Sequence, residues 1–232
     1  MNKRKKFLIQ MIKESMKPYE IPGEEFTVDE IKLLPKFISN LKENSLILDL
    51  AGGYGRITKI LLNNNFRVVL LDLSINSIKI AKKNLSKYLW LDIIHADMNH
   101  QPFKKHSFNA IWFSQAFEYI PPEHRSKIIR NLSELLKNNG ILFINIAHIM
   151  GECSLIKYLL NYLYWKIIKR KPIKFGDYIY KLKLNHYEGW HYHSLIMSRR
   201  NIEKTLKMYF KIIDKVIMRK GYHAYLLRKL IK

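Results

Sequence analysis

Between residues 45 and 146 the chain repeats one unit, a short apolar run followed by a stretch with apolar residues at helical spacing. The runs are Ser45–Leu50, Arg67–Asp72, Leu91–His95, Phe108–Phe113 and Gly140–Ile146. They are apolar nearly throughout, as strands buried on both faces are. Between them, Arg56–Asn65 carries Ile57, Ile60 and Leu61 on one face, Ser74 is a good N-cap for a helix to Leu85, and Pro122–Lys137 starts on proline and stops at Asn138-Asn139-Gly140. Strands alternating with helices predict an α/β fold, a parallel sheet covered on both faces. Downstream, Arg199–Met208 reads as a last helix, and Tyr209–Met218 and Tyr222–Leu230 as two more strands.

The ligand of such a sheet lies beyond the C-terminal strand ends, near the switch in strand order. Three features fall there. Asp49-Leu50-Ala51-Gly52-Gly53-Tyr54-Gly55-Arg56 joins strand one to helix one, and its glycines let backbone approach a ligand that a Cβ would block. Asp72 ends strand two, where a carboxylate can accept both hydroxyls of a ribose. Ala96-Asp97-Met98 follows strand three, with a carboxylate and a flexible apolar side chain suited to an adenine. A glycine loop alone also serves tight turns; three such features at successive strand ends make coincidence a poor account.

Asp49 to Thr58 resembles the first motif of class I S-adenosylmethionine-dependent methyltransferases, in the variant of quinone-biosynthesis enzymes. The resemblance runs through Asp72, Asp97-Met98, Gln101-Pro102-Phe103 to Ala110, Ser114 to Ile120 and Leu135 to Gly140. Gly53 stands where the family usually has Cys, and Asn139 where it usually has Pro. A nicotinamide-dependent dehydrogenase is the main competitor, but its fingerprint wants a glycine where Thr58 stands, and its first strand does not end in an acid. The resemblance implies a doubly wound, mostly parallel, Rossmann-like seven-stranded sheet with a lid inserted after strand five. It implies that S-adenosyl-L-methionine is held by Asp49, Ala51, Gly52, Gly53 and Gly55 at the methionine moiety, Asp72 and Leu73 at the ribose, Asp97 and Met98 at the adenine, and Ser114 and Gln115 near the sulfonium. Because the methyl arrives already activated, a general base is optional, and the core offers no obvious one.

The domain division expected is a helical segment over 1–40, with Phe7, Leu8, Met11, Ile12 and Met16 at helical spacing, and a cofactor-binding domain over 41–232 with a basic aromatic lid at 151–193. Ser154–Lys169 reads as a lid helix apolar nearly all round. It packs on its own domain, lies on lipid or a lipid-like substrate, or offers Tyr162, Tyr164 and Trp165 to stack on nucleic acid. His186-Tyr187-Glu188-Gly189-Trp190-His191-Tyr192-His193 supplies His186, Tyr187 and His191 as candidates for proton transfer, or a set of rings that staples the lid; no metal-ligand spacing is complete.

Charge bears on partners. The 232 residues carry 41 Lys plus Arg against 19 Asp plus Glu, formally +22, of which residues 1–17 hold +5, 151–193 +5 and 199–232 +9. The cofactor core is nearly neutral, so the cations mark where an acceptor or the surface that delivers it approaches. The acceptor expected is a small or lipid-like molecule, with peripheral contact to an anionic membrane surface. An RNA methyltransferase (tRNA or rRNA) and a non-catalytic binding module with a cofactor fold are the alternatives. A single cysteine, Cys153, suits a reducing, cytoplasmic compartment. Lys3-Arg4-Lys5-Lys6 before Phe7-Leu8-Ile9 imitates a signal peptide, but Gln10, Lys13 and Glu14 cut the apolar run short, so mature protein is expected there, and no segment reaches the ~20 apolar residues of a spanning helix.

Overall fold

The computed structural model describes residues 3–16, 31–147, 153–184, 187–195, 198–218 and 222–231. Its centre is a seven-stranded sheet of β1 (Leu46–Leu50), β2 (Arg67–Asp72), β3 (Leu91–His95), β4 (Phe108–Phe113), β5 (Leu136–Ala147), β8 (Phe210–Ile217) and β9 (Tyr222–Lys229). The spatial order is β3-β2-β1-β4-β5-β9-β8, with β9 antiparallel to β5 and to β8 and the other pairs parallel. β1 therefore lies between β2 and β4, and the winding direction reverses there. The reversal leaves a crevice beyond the C-terminal ends of β1 and β4.

Helices α3 (Arg56–Asn63), α4 (Ile75–Leu85) and α5 (Pro122–Leu135) make the crossovers, and α7 (Arg199–Lys207) precedes β8. The buried stripe of α3, Ile57, Leu61 and Leu62, packs with Ile47, Val68 and Trp112. On the opposite face Leu48, Leu50 and Ile111 join Ile129 and Leu132 of α5 and Leu206 of α7. Continuous apolar strands are thus explained by cover on both faces.

Three boundaries differ from expectation. α5 ends at Leu135 and β5 starts at Leu136, because Leu136 already pairs with Phe108 before the register shifts and Asn139 turns at φ 61°. The lid helix is α-helical only over α6 (Leu155–Leu163); Tyr164–Ile168 is a wider π turn, in which the Lys169 N–H donates to the Tyr164 carbonyl at 2.9 Å and the Trp165 Nε1–H to the Ile179 carbonyl at 3.1 Å. Downstream lies a hairpin that the sequence reading lacks, β6 (Asp177–Leu184) against β7 (Tyr187–Ser194), so the histidine run is half of a two-stranded sheet.

The N-terminal helix α1 (Lys3–Met16) and the hairpin pack together: Leu8 and Met11 sit with Trp165, Ile173, Ile179 and Tyr192. A buried ion pair fastens them, with Arg4 Nη1 2.5 Å from Asp177 Oδ2, and Tyr192 Oη donates to the other oxygen of Asp177 at 2.8 Å. The backbone N–H of Tyr192 donates to Ser15 Oγ at 2.7 Å, and Arg125 of α5 donates to the Ser194 carbonyl. Burial pulls the Arg125 guanidinium down to about 10, still charged at neutral pH.

Candidate active site

A cleft of about 160 Å³ opens at the C-terminal ends of β1, β2, β3 and β4. Its walls include Asp49, Ala51, Gly52, Gly53, Asp72, Leu73, Asp97, Met98, Ser114 and Gln115. Of the cofactor candidates only Gly55 stands outside the lining. At φ 88° it is the N-cap of α3, and a Cβ there would lie 2.5 Å from Leu85 Cδ1, so its glycine serves the turn and the packing of α4.

The glycine loop is built around two carboxylates. Asp49 is 2% exposed, and Thr58 Oγ1 donates to its Oδ2 at 2.6 Å. Gly52 is held close to the same carboxylate, since a Cβ there would stand 2.9 Å from Asp49 Cγ and from Leu70 Cγ. Asp72 accepts the Gly53 N–H on Oδ2 and the Ser74 N–H on Oδ1, both at 2.8 Å. The second strand-end acid thereby fixes both the glycine loop and the start of α4. Burial pushes the Asp72 carboxyl above the ordinary range, against the opposing pull of the N–H groups of Ser74, Gly53 and Leu73 and the charge of His95. The ionised form therefore costs the fold stability that protonation restores.

Gly53 has φ 57° and nothing within 4 Å of the point where a Cβ would stand, so its backbone faces the open cleft. Ala51 takes the same left-handed conformation without being glycine. Across the crevice Gln115 does likewise at φ 50°, and its N–H donates to Asn145 Oδ1 of β5 at 2.6 Å. Non-glycine residues held at positive φ gather at sites that the surrounding structure over-determines. Asp97 lines the cleft but also closes its own turn, accepting the backbone and side-chain N–H groups of Asn99 at 2.8 Å.

Thr58 and Asn145 are absent from the sequence reading as site residues. Thr58 counted there only as a missing glycine. Replacing it isosterically, Thr58→Val, leaves a buried carboxylate one donor short. The expected cost is about 1–3 kcal/mol of stability by thermal denaturation.

Residues 47–140 match the family model of a methyltransferase domain. No curated protein matches the chain in sequence. Among solved structures the chain is similar to a S-adenosylmethionine-dependent methyltransferase from Clostridium acetobutylicum, at 17% identity, 98% of this chain and 99% of that chain, TM-score 0.64. It is also similar to the N-methyltransferase NodS from Bradyrhizobium japonicum in complex with S-adenosyl-L-homocysteine (11%, 98% and 99%, 0.64). A third is the Burkholderia thailandensis 1,6-didemethyltoxoflavin-N1-methyltransferase with its acceptor and S-adenosylhomocysteine (14%, 98% and 87%, 0.60). The family match covers less than half of the chain, and the structural likeness shows the fold of S-adenosylmethionine-dependent methyltransferases.

Part of the far wall of the cleft follows from the sequence, since the apolar spacing of the N-terminal helix predicts that it packs across the cofactor end of the sheet. Ile12 reaches that wall from α1 and Tyr119 from the short 3₁₀ turn Phe117–Tyr119 after β4. Tyr119 Oη lies 3.2 Å from His191 Nε2, which lies 3.1 Å from His193 Nε2. His191 and His193 alternate on β7 and are 0% and 4% exposed. Burial and the neighbouring His193 push the His191 imidazole down to about 3, so it is neutral at physiological pH. His191 thus sits behind Tyr119 and outside the cleft lining. His186 lies outside the described residues, as does the side chain of Tyr187.

Proposed function

We propose that this chain is a methyltransferase that transfers the methyl of S-adenosylmethionine to a small, largely apolar acceptor that enters between Tyr119 and the lid. In this reading residues 41–232 are the catalytic domain, residues 151–193 its lid, and the 1–40 segment a strap that contributes Ile12. Asp49, with Ala51, Gly52 and Gly53, takes the methionine moiety, Asp72 and Leu73 the ribose, Asp97 and Met98 the adenine, and Ser114 and Gln115 the sulfonium region. The cleft lining supports this, because these residues line one crevice, with Asp97, Asp72 and Asp49 at the ends of the adjacent strands β3, β2 and β1.

Bound there, the cofactor supplies a methyl group on positive sulfur, so that the acceptor's lone pair forms the new bond as the carbon–sulfur pair returns to sulfur. The protein's work is to hold the acceptor in line and exclude water. Tyr119, held at 3.2 Å by His191 behind it, is the polar side chain of the far wall placed to hydrogen-bond the accepting group and orient it toward the methyl. Tyr119→Phe is expected to lower kcat by about 10-fold or more with little change in KM for S-adenosylmethionine.

The observation that carries the small-molecule reading is the small cleft, about 160 Å³, whose lining includes Ile12 and Tyr119. The test is incubation with methyl-labelled S-adenosylmethionine and two parallel extracts, one of organic-soluble small molecules and lipids, one of total RNA. Label in the organic fraction is expected; label in RNA alone would contradict it. The RNA alternative has lost part of its basis: Trp165 is 6% exposed and turned into the lid, and Tyr162 stacks on the buried Tyr158.

A further inference from the structure

The lid helix packs on its own domain by its aromatic side and leaves its aliphatic side uncovered. The residues it turns inward are Tyr158 and Trp165, 0% and 6% exposed, with Asn161 Nδ2 donating to the Ile179 carbonyl. The aliphatic stripe points outward: Ile156, Leu160, Ile167 and Ile168 are 63–72% exposed, and Leu155 and Leu163 nearly half. An apolar stripe this continuous on a protein surface marks a contact surface. Where the helix ends, Lys166, Arg170, Lys171 and Lys3 line a groove with Phe7 and Pro172. No acid lines it among the described residues. The hairpin acids are engaged elsewhere, Asp177 with Arg4 and Glu188 with Lys181.

We propose that this face docks on an anionic lipid bilayer. The aliphatic stripe enters the boundary between headgroups and acyl chains, and the cationic groove takes lipid phosphates, the arrangement of an interfacial amphipathic helix. Among the described residues no helix is long and apolar enough to cross a membrane, so the contact is peripheral. Charge complementarity selects this occupant. A second copy would bring two chains of net charge +22 together with their cationic rims adjacent. A nucleic acid would meet branched aliphatic side chains where it needs ring faces. The proposal goes beyond methyl transfer and does not rest on it.

The test is flotation of the full-length protein with vesicles of phosphatidylcholine alone and of phosphatidylcholine with phosphatidylglycerol. Binding to the anionic vesicles is expected to be at least about tenfold tighter. Ile156→Ser with Leu160→Ser, both on the exposed stripe, is expected to lower it at least about tenfold, and Arg170→Glu with Lys171→Glu likewise. Stabilisation by S-adenosylhomocysteine is expected to be unchanged in all variants, which separates failure of docking from failure of the cofactor site. Absence of vesicle binding, equal binding to neutral vesicles, or serine variants that bind like wild type would overturn the proposal. So would self-association, or RNA retention at physiological salt, that the serine variants abolish.

Discussion

Asp72→Ala is expected to weaken S-adenosylhomocysteine binding by at least about a hundredfold. Two effects combine. In the proposed site the variant loses the carboxylate that would accept the ribose hydroxyls, and charge-assisted hydrogen bonds are worth about 1.5–3 kcal/mol each. It also releases the N–H groups of Gly53 and Ser74, both held at 2.8 Å, so the glycine loop is no longer fixed for its ligand. Asp72→Asn keeps an acceptor for one of these donors and should fall between wild type and alanine. The raised Asp72 carboxyl adds a pH signature. The ribose hydroxyls donate to the ionised form, so affinity should decline as pH drops through that raised value, above the range where an ordinary aspartate would protonate. Calorimetric titration of the variants, and of wild type across pH, checks each point. Affinity in Asp72→Ala within threefold of wild type would remove Asp72 from the site.

The second large effect concerns the strap rather than the cleft. Arg4→Met leaves Asp177, 0% exposed, without its cation, although Tyr192 and the Lys174 N–H still donate to it. Breaking a buried pair by removing one partner costs about 3–5 kcal/mol. For a chain of this size that corresponds to a fall in Tm of roughly 10 °C. Arg4 also donates to the Pro172 carbonyl, so α1 and the lid should loosen together, and hydrogen exchange in Tyr187–Ser194 should rise. A Tm within about 2 °C of wild type would mean that the pair holds nothing together.

The contrast between these two residues explains what the sequence could reveal. Asp72 was readable because its partners are local: a strand ends, a glycine loop lies nineteen residues back, and a helix cap follows two residues on. The same holds for β1, β2 and β4, whose apolar runs follow from cover on both faces, whereas β3 lies at the sheet edge and is only half-buried. Arg4 and Asp177 are 173 residues apart, and nothing in either neighbourhood names the other. The β6–β7 hairpin escaped for a related reason. Tyr180, Lys181, Leu182 and Lys183 alternate as an exposed ribbon should, but the strand starts at Asp177, an acid that a sequence reading places outside, and here it is buried by Arg4. Tyr119 falls between the two cases. Its segment was recognised, yet its contact with His191 depends on a hairpin that brings β7 over the cleft.

Thr58 teaches a subtler point. The feature that argued against a dinucleotide fingerprint supplies the hydroxyl that holds Asp49. A substituted glycine was therefore informative twice, once by what it excludes and once by what it contributes.

The central claim is that the crevice between β1 and β4 is a cofactor site in the chain as it stands. Calorimetric titration of S-adenosylhomocysteine into the wild-type protein tests it most directly. The account predicts one site per chain with micromolar or tighter affinity, abolished by Asp72→Ala and untouched by Ile156→Ser with Leu160→Ser. Absence of binding by the folded wild-type protein, or binding that Asp72→Ala leaves intact, would contradict it.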